Sequence, residues 1–396
     1  MKPQLKSYDS SVEALLCTPE ELRIKNTRKL KNYKDSLRIV DLFSGCGGLS
    51  LGTMQAAHLC RRSISIELAI DNNPMALEVY RHNFKHIASR VEARNIEEYV
   101  DTESNSTVPR ALERRAFSGL EGIDLIVAGP PCQGHSDLNN SSRRSDPRNL
   151  LYLAPVRAAV NLRPKAILIE NVPTVTRAAE DVVSTSRMLL KRLGYDVREF
   201  KLDLTQLGVP QSRTRHIQLA SLSSLDSVAL QITSLVTRMV RCIDYIRDIV
   251  DEPSNHADSA FIRTTKLSLD NVSRINYLFK NSVYDLPNAL RPSCHRDRVH
   301  SYVSMYGRMH AGKPAQTITS GFGSMGQGRF VHPTRPRMIS AHEAARLQGF
   351  PDYFRFDSCQ RVTSLREMIG NAVPPLMAQA LGKAIIAQLQ RRSRAA

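Results

Sequence analysis

The chain has 396 residues, 42% of them hydrophobic and 23% charged, with a formal net charge of +17 at pH 7. That balance excludes a mostly disordered or collagen-like chain, and the length suits two or three lobes of roughly 150 residues each. The basic excess favours a polyanionic partner, nucleic acid or an anionic membrane surface, over an ordinary neutral surface.

Residues 1–36 read as a polar, mixed-charge extension. Thr18-Pro19-Glu20-Glu21 combines an N-cap, a first-turn proline and first-turn acids, which predicts a basic helix to about Lys34. It is either a solvated surface helix or a phosphate-contacting arm. Leu37 to Phe43 is a short apolar, β-branched run and reads as a buried strand. It opens into Ser44-Gly45-Cys46-Gly47-Gly48, with a helix predicted from Leu49 to about Leu59. Ile64 to Ile70 is a second strand, ended by Asp71, and Met75 to Phe84 a helix. Ile123 to Ala128 and Ala166 to Glu170 are further buried strands, separated by helical periodicity over 150–162. Strands alternating with helices predict an α/β fold with a doubly wound, mostly parallel sheet. Ligands bind such sheets at the carboxyl ends of the strands.

Residues 221–315 lack that alternation and read as a second, smaller lobe. Leu235, Val236, Met239, Val240, Ile243, Ile246, Ile249 and Val250 predict an amphipathic helix over 233–250. The rest of the lobe reads as irregular, with a basic, histidine-rich stretch from Arg291 to His310. Helices return over 341–347 and about 376–389. The boundaries are therefore 1–36, 37–220, 221–315 and 316–396.

Five motifs stand at strand ends or turns. Glycines in the loop at 45–48 let backbone approach a ligand and free N–H groups at a helix start. The spacing G-x-G-G is not that of dinucleotide binders, and a tight structural turn is the other reading. Asp71 suits ribose hydroxyls, or a helix N-cap. Pro130 and Pro131 fix the backbone before Cys132. A thiol there is a credible nucleophile if its pKa is lowered; a small buried hydrophobe is the alternative. Glu170 ends an apolar strand, where poor solvation should raise its pKa and let it donate a hydrogen bond to a ring nitrogen. Arg213 and Arg215, two apart on an extended segment, should share one face and suit a carbonyl, a phosphate or solvent. Gly370-Asn371-Ala372-Val373-Pro374-Pro375 is a turn entering the last helix.

The seven cysteines are scattered and odd in number, with no CxxC pair. This argues against a secreted disulfide scaffold and a zinc ribbon, predicts no metal, and fits a reduced, intracellular setting. No apolar run of about 20 residues predicts a transmembrane helix, and the first residues lack an apolar signal core.

In this order the motifs resemble those of the DNA cytosine-5 methyltransferases, over about 37–220 and 305–390. The loop at 44–48 resembles the family's S-adenosylmethionine loop, Pro131-Cys132-Gln133 its nucleophile motif, Glu170-Asn171-Val172 its acid motif, and Gln211-x-Arg213-x-Arg215 its arginine motif. Arg337 to Glu343, Arg346 to Pro351 and 370–373 resemble its C-terminal motifs. The resemblance implies catalytic roles for Cys132, Glu170, Arg213 and Arg215. It implies an S-adenosylmethionine site of Phe43, Ser44, Gly45, Gly47, Gly48, Leu49, Asp71, Asn95, Pro130, Asn371 and Ala372. Substrate contacts fall to Gln133, Ser136, Asn171 and Gln211. Two departures stand out: Asn95 occupies the place of a usual Asp, and His135-Ser136 that of a usual Phe-Ser. The implied partner is double-stranded DNA, methylated by a monomeric, cytoplasmic, nucleoid-associated bacterial enzyme with no membrane role. Whether a partner restriction endonuclease acts on the same site is left open. Base contacts would come from the 221–315 lobe; Arg291, Arg296, Arg298 and Arg308 are candidates for those or for phosphates. A tRNA cytosine-5 methyltransferase shares the loop, cysteine and acid motifs and is the alternative; intact Cys132, Glu170, Arg213 and Arg215 argue against a non-catalytic DNA-binding homologue.

Overall fold

The computed structural model describes residues 19–23, 33–131, 146–235, 239–250, 260–297 and 304–395. From the first glycine motif onward the chain alternates: β1 (Ser36–Leu42), α1 (Gly48–Leu59), β2 (Ser63–Asp71), α2 (Pro74–Phe84), β3 (Val91–Ala93), α3 (Ala111–Ala116), β4 (Leu125–Ala128), α4 (Ala154–Leu162), β5 (Ala166–Asn171) and α5 (Val182–Arg192). Strands β6 (Asp196–Asp203), β7 (Gln211–Ser212) and β8 (Thr214–Ser221) follow, then α6 (Asp226–Thr233), α7 (Leu269–Lys280), β9 (Ala315–Gln316), α8 (Ala341–Gln348), α9 (Val362–Asn371) and α10 (Pro375–Ala395).

The main sheet has the order β3-β2-β1-β4-β5-β8-β6. Its first five strands are parallel, and β8 runs antiparallel to both β5 and β6. Strand order reverses between β1 and β4, so the loop leaving β1 sits at the switch point where such sheets take ligands. Both faces are covered. Leu125, Val127, Ala166 and Leu168 join one core, while Ile126, Ala128, Ile167 and Ile169 join the other. Burial on both faces is why these strands read as unbroken apolar runs rather than alternating ones.

Local chemistry sets the element ends. The Asn73 side chain accepts from the Met75 and Ala76 amides at 3.1 Å, with Pro74 in the first turn of α2. Ser340 and Glu343 form a reciprocal capping box at α8. Gly52 of α1 lies so close to α10 that a Cβ there would strike the Pro375 carbonyl and Ala378. The pairing of β7 with β9, Gln211 opposite Ala315, ties the small lobe back to the arginine motif.

The structure departs from the predicted elements at two places, adds a hairpin at a third, and describes only part of a predicted helix at a fourth. The helix over 233–250 is replaced: α6 ends at Thr233, 236–238 lie outside the described residues, and Ile243–Ile246 forms one helical turn. Leu235, Val240, Ile246 and Ile249 are buried there, but Met239 and Val250 are exposed. Apolar spacing thus reported burial, not the backbone path. Second, α7 lies in a stretch read as irregular; only Ile275 and Leu278 of it are buried, too few to mark a stripe. Third, β6 and β8 add an antiparallel hairpin at one edge, where polar residues interrupt the apolar pattern. Fourth, the N-terminal helix covers only Pro19–Leu22 among the described residues; Lys34 lies in a bend, and 24–32 lie outside them.

Candidate active site

Three of the five residues from Phe43 to Gly47 have positive φ: Phe43 at 59°, Gly45 at 52° and Gly47 at 102°. The result is a curled loop at the head of α1. Its turns are pinned from below. The Ser44 amide donates to the Ile70 carbonyl (3.0 Å), the Gly47 amide to the Ser44 carbonyl (2.9 Å), and the Gly45 amide to Asp71 Oδ2 (2.8 Å). The other oxygen of Asp71 accepts from the Asn73 amide at 2.8 Å. Burial moves the Asp71 carboxyl above its usual range.

Two glycines are required by close approach. A Cβ on Gly47 would strike the Phe84 and Tyr80 rings, and one on Gly48 the Val373 carbonyl. Gly45 differs, since a Cβ there would meet nothing within 4 Å. Beside it the Ser44 hydroxyl is buried with no hydrogen-bond partner among the described residues. The loop therefore offers open space and an unsatisfied polar group together. Leu49 is buried behind it. Beneath lies Asp41, fully buried, accepting from the Ser50 hydroxyl at 2.6 Å; that hydroxyl is 2.7 Å from the Tyr80 hydroxyl. Burial, with the Asp71 charge adding to it, pushes the Asp41 carboxyl up to about 7.

Asn95 follows β3 and is exposed. Its Oδ1 accepts from Asn72 Nδ2 at 3.4 Å, and the preceding Arg94 amide donates to the Asp71 carbonyl at 3.0 Å. Asn95 and Asp71 thus flank one strip of backbone.

Glu170 stands buried at the end of β5, with Arg215 Nε 2.7 Å from its Oε1. The contact is ionic rather than an aligned hydrogen bond, and Oε1 has no hydrogen-bond donor among the described residues. The sequence alone assigned this acid no charge partner. A Cβ on Gly129 would lie 3.1 Å from Val373 Cγ2, 3.8 Å from Leu49 Cδ1 and 3.9 Å from Glu170 Oε2. Loop, acid, β4 end and C-terminal motif therefore converge on one spot. Asn171, also buried, donates from Nδ2 to the Pro130 carbonyl (3.2 Å) and stitches β5 to the β4 end. Pro131 is the last described residue there; Cys132, Gln133 and Ser136 lie outside the described residues.

Contrary to what their spacing predicts, the two arginines do not share a face. The strand breaks at Arg213, between β7 and β8. Arg213 is buried and donates to the Ile318 and Ala372 carbonyls, each at 3.2 Å. Arg215 alone turns to Glu170. Gln211, buried, donates to the Leu347 carbonyl (2.9 Å) and Gln348 Oε1 (2.7 Å) and accepts from the Ile318 amide (3.0 Å). Gln211 and Arg213 brace the C-terminal motif, of which Asn371 is exposed and Ala372 nearly buried. Thr317, which the sequence reading missed, donates to the Ser212 carbonyl at 2.6 Å. Gly129, Val373 and Gln348 lie within motifs that the sequence singles out, but they act by contacts for which a lone sequence has no signal.

The candidate DNA-facing arginines have partners of their own. Arg291 donates to the Leu286 carbonyl at 3.3 Å, and Arg296 pairs with Asp297 at 2.8 Å. Arg308 lies over the Phe279 and Tyr284 rings, at 4.3 and 5.1 Å, and donates to the Pro333 carbonyl at 3.0 Å. Its guanidinium serves the lobe's own packing. Arg298 lies outside the described residues. Among the described cysteines, burial pushes the Cys46 and Cys242 thiols up to about 12 and raises Cys60 and Cys359, so none of these is poised as a thiolate.

A mostly parallel seven-stranded sheet, with a curled glycine loop and a buried acid at its carboxyl edge, defines an α/β fold of the S-adenosylmethionine-dependent methyltransferase type. The model of the C-5 cytosine-specific DNA methylases matches residues 37–387. The chain belongs to that family and is a DNA cytosine-5 methyltransferase. It is 43% identical over 354 residues to the Type II methyltransferase M1.BsuMI of Bacillus subtilis (strain 168), covering 89% of this chain and 81% of that protein. It is 29% identical over 391 residues to the Type II methyltransferase M.XorII of Xanthomonas oryzae pv. oryzae, covering 89% and 85%. Among solved structures, the S. pombe Dnmt2 methyltransferase matches with a TM-score of 0.59 at 21% identity, covering 90% of this chain and 99% of that one. The Entamoeba histolytica methyltransferase EhMeth matches with a TM-score of 0.59 at 16% identity, covering the same shares. These two likenesses show the fold. Among the described residues no helix is long and apolar enough to cross a membrane.

Proposed function

We propose that the chain methylates C5 of a cytosine flipped out of a specific duplex sequence, using S-adenosylmethionine and a covalent adduct at Cys132. The observation that carries this reading is the convergence at Gly129. The buried Glu170 carboxylate, the glycine loop and Val373 meet at the backbone that leads through Pro130 and Pro131 into Cys132. The open space at Gly45, the unpartnered Ser44 hydroxyl and the Asp71 carboxylate suit a polar cofactor with ribose hydroxyls. Phe43, Ser44, Gly45, Gly47, Gly48, Leu49, Asp71, Asn95, Pro130, Asn371 and Ala372 would hold it. S-adenosylmethionine supplies an electrophilic methyl group to C5 there.

The chain's own part is to make C5 a nucleophile. Thiolate addition of Cys132 at C6 forms the S–C6 bond and moves electron density onto C5. Glu170, hydrogen-bonded at N3, stabilises the charge that develops, and Arg215 beside it addresses the O2 carbonyl. Loss of the C5 proton to a base then expels Cys132. Gln133, Ser136, Asn171 and Gln211 belong to the substrate side, and Gln211 and Arg213 act by holding the Ile318–Ala372 seam. A stacked duplex hides C6, so the base must leave the helix. The net charge of +17 supplies sequence-independent attraction to phosphates. The 221–315 lobe would read the sequence, and the enzyme would act as a cytoplasmic monomer on nucleoid DNA beside a restriction endonuclease of the same site. Bisulfite sequencing of DNA from cells expressing the protein, with their tRNA assayed in parallel, tests the reading. Methylation at one DNA motif is expected; methylation of tRNA alone would overturn it.

A further inference from the structure

Arg366, near the site, is paired with no carboxylate among the described residues. Helix α9 presents Arg366 and Gly370, one turn apart, to the segment 319–323. Gly370 lies so close under Thr319 and Ser320 that a Cβ would collide with their backbone. The Arg366 guanidinium lies flat against Gly323, where a Cβ would strike its Cζ, Nε and Nη1 atoms. Its Nη2 donates to Thr265 Oγ1 at 2.6 Å, and that hydroxyl donates on to the Gly323 carbonyl at 2.9 Å. The guanidinium is thus held in one orientation by Thr265 of the small lobe and Gly323 of the C-terminal segment. The same segment runs back through Ile318 to Gln211 and Arg213, and through Thr317 to Ser212. Arg366 therefore stands on the seam that joins the lobe to the site.

Two fully buried arginines have carboxylates, Arg157 with Glu113 at 2.7 Å and Arg346 with Asp352 at 2.5 Å, and buried Arg213 has two backbone carbonyls. Arg366 is half-buried, and no carboxylate among the described residues pairs with it; burial alone acts on it and lowers its pKa. A guanidinium carries five N–H donors in a planar fork, and among the described residues one hydrogen bond is accounted for, that to Thr265. A cation partly stripped of water and left unpaired is costly, and a bound anion offsets that cost. The fork geometry matches a phosphate, and the substrate is a polyanion.

We infer that Arg366 is a seat for a backbone phosphate of the DNA, held at the seam between the small lobe and α9. The inference rests on the duplex-DNA reading above. The carboxylate of S-adenosylmethionine offers similar chemistry, so the test must separate the two sources. Binding of a mixed-sequence duplex is measured by fluorescence anisotropy across a range of salt concentrations, and S-adenosylmethionine binding by calorimetry without DNA. Arg366→Gln is expected to weaken duplex binding and to reduce the slope of log K against log salt by about 1. Arg366→Lys should retain the slope, and both variants should bind S-adenosylmethionine as the parent does. An unchanged slope in Arg366→Gln overturns the inference. So does a loss of S-adenosylmethionine affinity at an unchanged slope, which assigns the anion to the cofactor. If Arg366→Gln does not fold, Thr265→Val releases the guanidinium while keeping its charge; weaker duplex binding is then expected, and parent-like binding overturns the inference. A parent chain that binds no duplex would instead sink the DNA reading itself.

Discussion

Asp41→Asn is expected to stabilise the protein above neutral pH, although it alters a hydrogen-bonded network beneath the glycine loop. The Asp41 carboxyl is fully buried, and its folded pKa rises from 3.8 to about 7. Because the folded pKa lies above the unfolded one, the unfolded chain gives up its proton first. Stability therefore falls as pH rises from about 4 to about 7 and stays low beyond. At about 1.4 kcal/mol per pH unit, the loss approaches about 4 kcal/mol. In the Asp41→Asn variant the amide oxygen still accepts from Ser50, but the NH2 takes the place of Oδ1, which has no partner among the described residues. A buried unsatisfied amide costs about 1–3 kcal/mol. The net gain is about 1–3 kcal/mol near pH 8, shrinking to about zero near pH 5. Urea unfolding of parent and variant across that window measures the difference. Glu343 and Asp352, both held at about 2, contribute stability already complete there. His216 and His310, lowered by burial, act with the opposite sign in both proteins and cancel in the difference. A difference that does not grow with pH would refute the reasoning.

Gly48→Ala should destabilise by about 1–3 kcal/mol, because its Cβ meets the Val373 carbonyl, and should abolish S-adenosylmethionine binding by calorimetry; parent-like values of both would show that the contact is not tight. Glu170→Gln should slow single-turnover methyl transfer about 10²-fold with cofactor affinity unchanged, and an unaltered rate would remove Glu170 from the chemistry. Glu343, buried and paired with Arg337, His332 and Arg335, has its pKa lowered from 4.5 to about 2. A lowered pKa gives stability that is present above the unfolded value and lost as pH falls toward the folded one, here about 3 kcal/mol. Acid titration of Glu343→Gln, followed by urea unfolding, should lack that loss; an acid slope equal to the parent's would place the effect elsewhere.

The parallel half of the sheet was legible because strands buried on both faces must be apolar throughout, and glycines and prolines punctuate their ends. Leu125 to Ala128 and Ala166 to Ile169 are such runs, Leu37 to Phe43 and Ile64 to Ile70 are largely apolar despite Arg38, Asp41, Ser65 and Glu67, and the residues just after them reach one edge of the sheet. The hairpin of β6 and β8 was not legible, since Arg198, Lys201, His216 and Gln218 break the pattern. The small lobe failed for a related reason. Leu235, Val240 and Ile249 are spaced as on one helix with Ile246, yet are buried from irregular backbone, and Ile246 sits in a single helical turn. At the site, motif spacing singled out Asp71 and Glu170 but gave no sign of their partners. The bond from Gly45 to Asp71, the contact of Arg215 with Glu170 and the turning of Arg213 toward Ala372 depend on which backbone stands opposite, and that is a property of packing.

The most direct test uses a duplex in which every cytosine is replaced by 5-fluorocytosine, incubated with the protein and S-adenosylmethionine. Fluorine at C5 does not leave as a proton does, so the thiol that adds to C6 remains attached. Digestion and mass spectrometry should then find the adduct on Cys132, and Cys132→Ser should form none, because a hydroxyl is far less ionised than a thiol at neutral pH. An adduct on another cysteine, or full methylation of ordinary DNA by Cys132→Ser, would contradict the account.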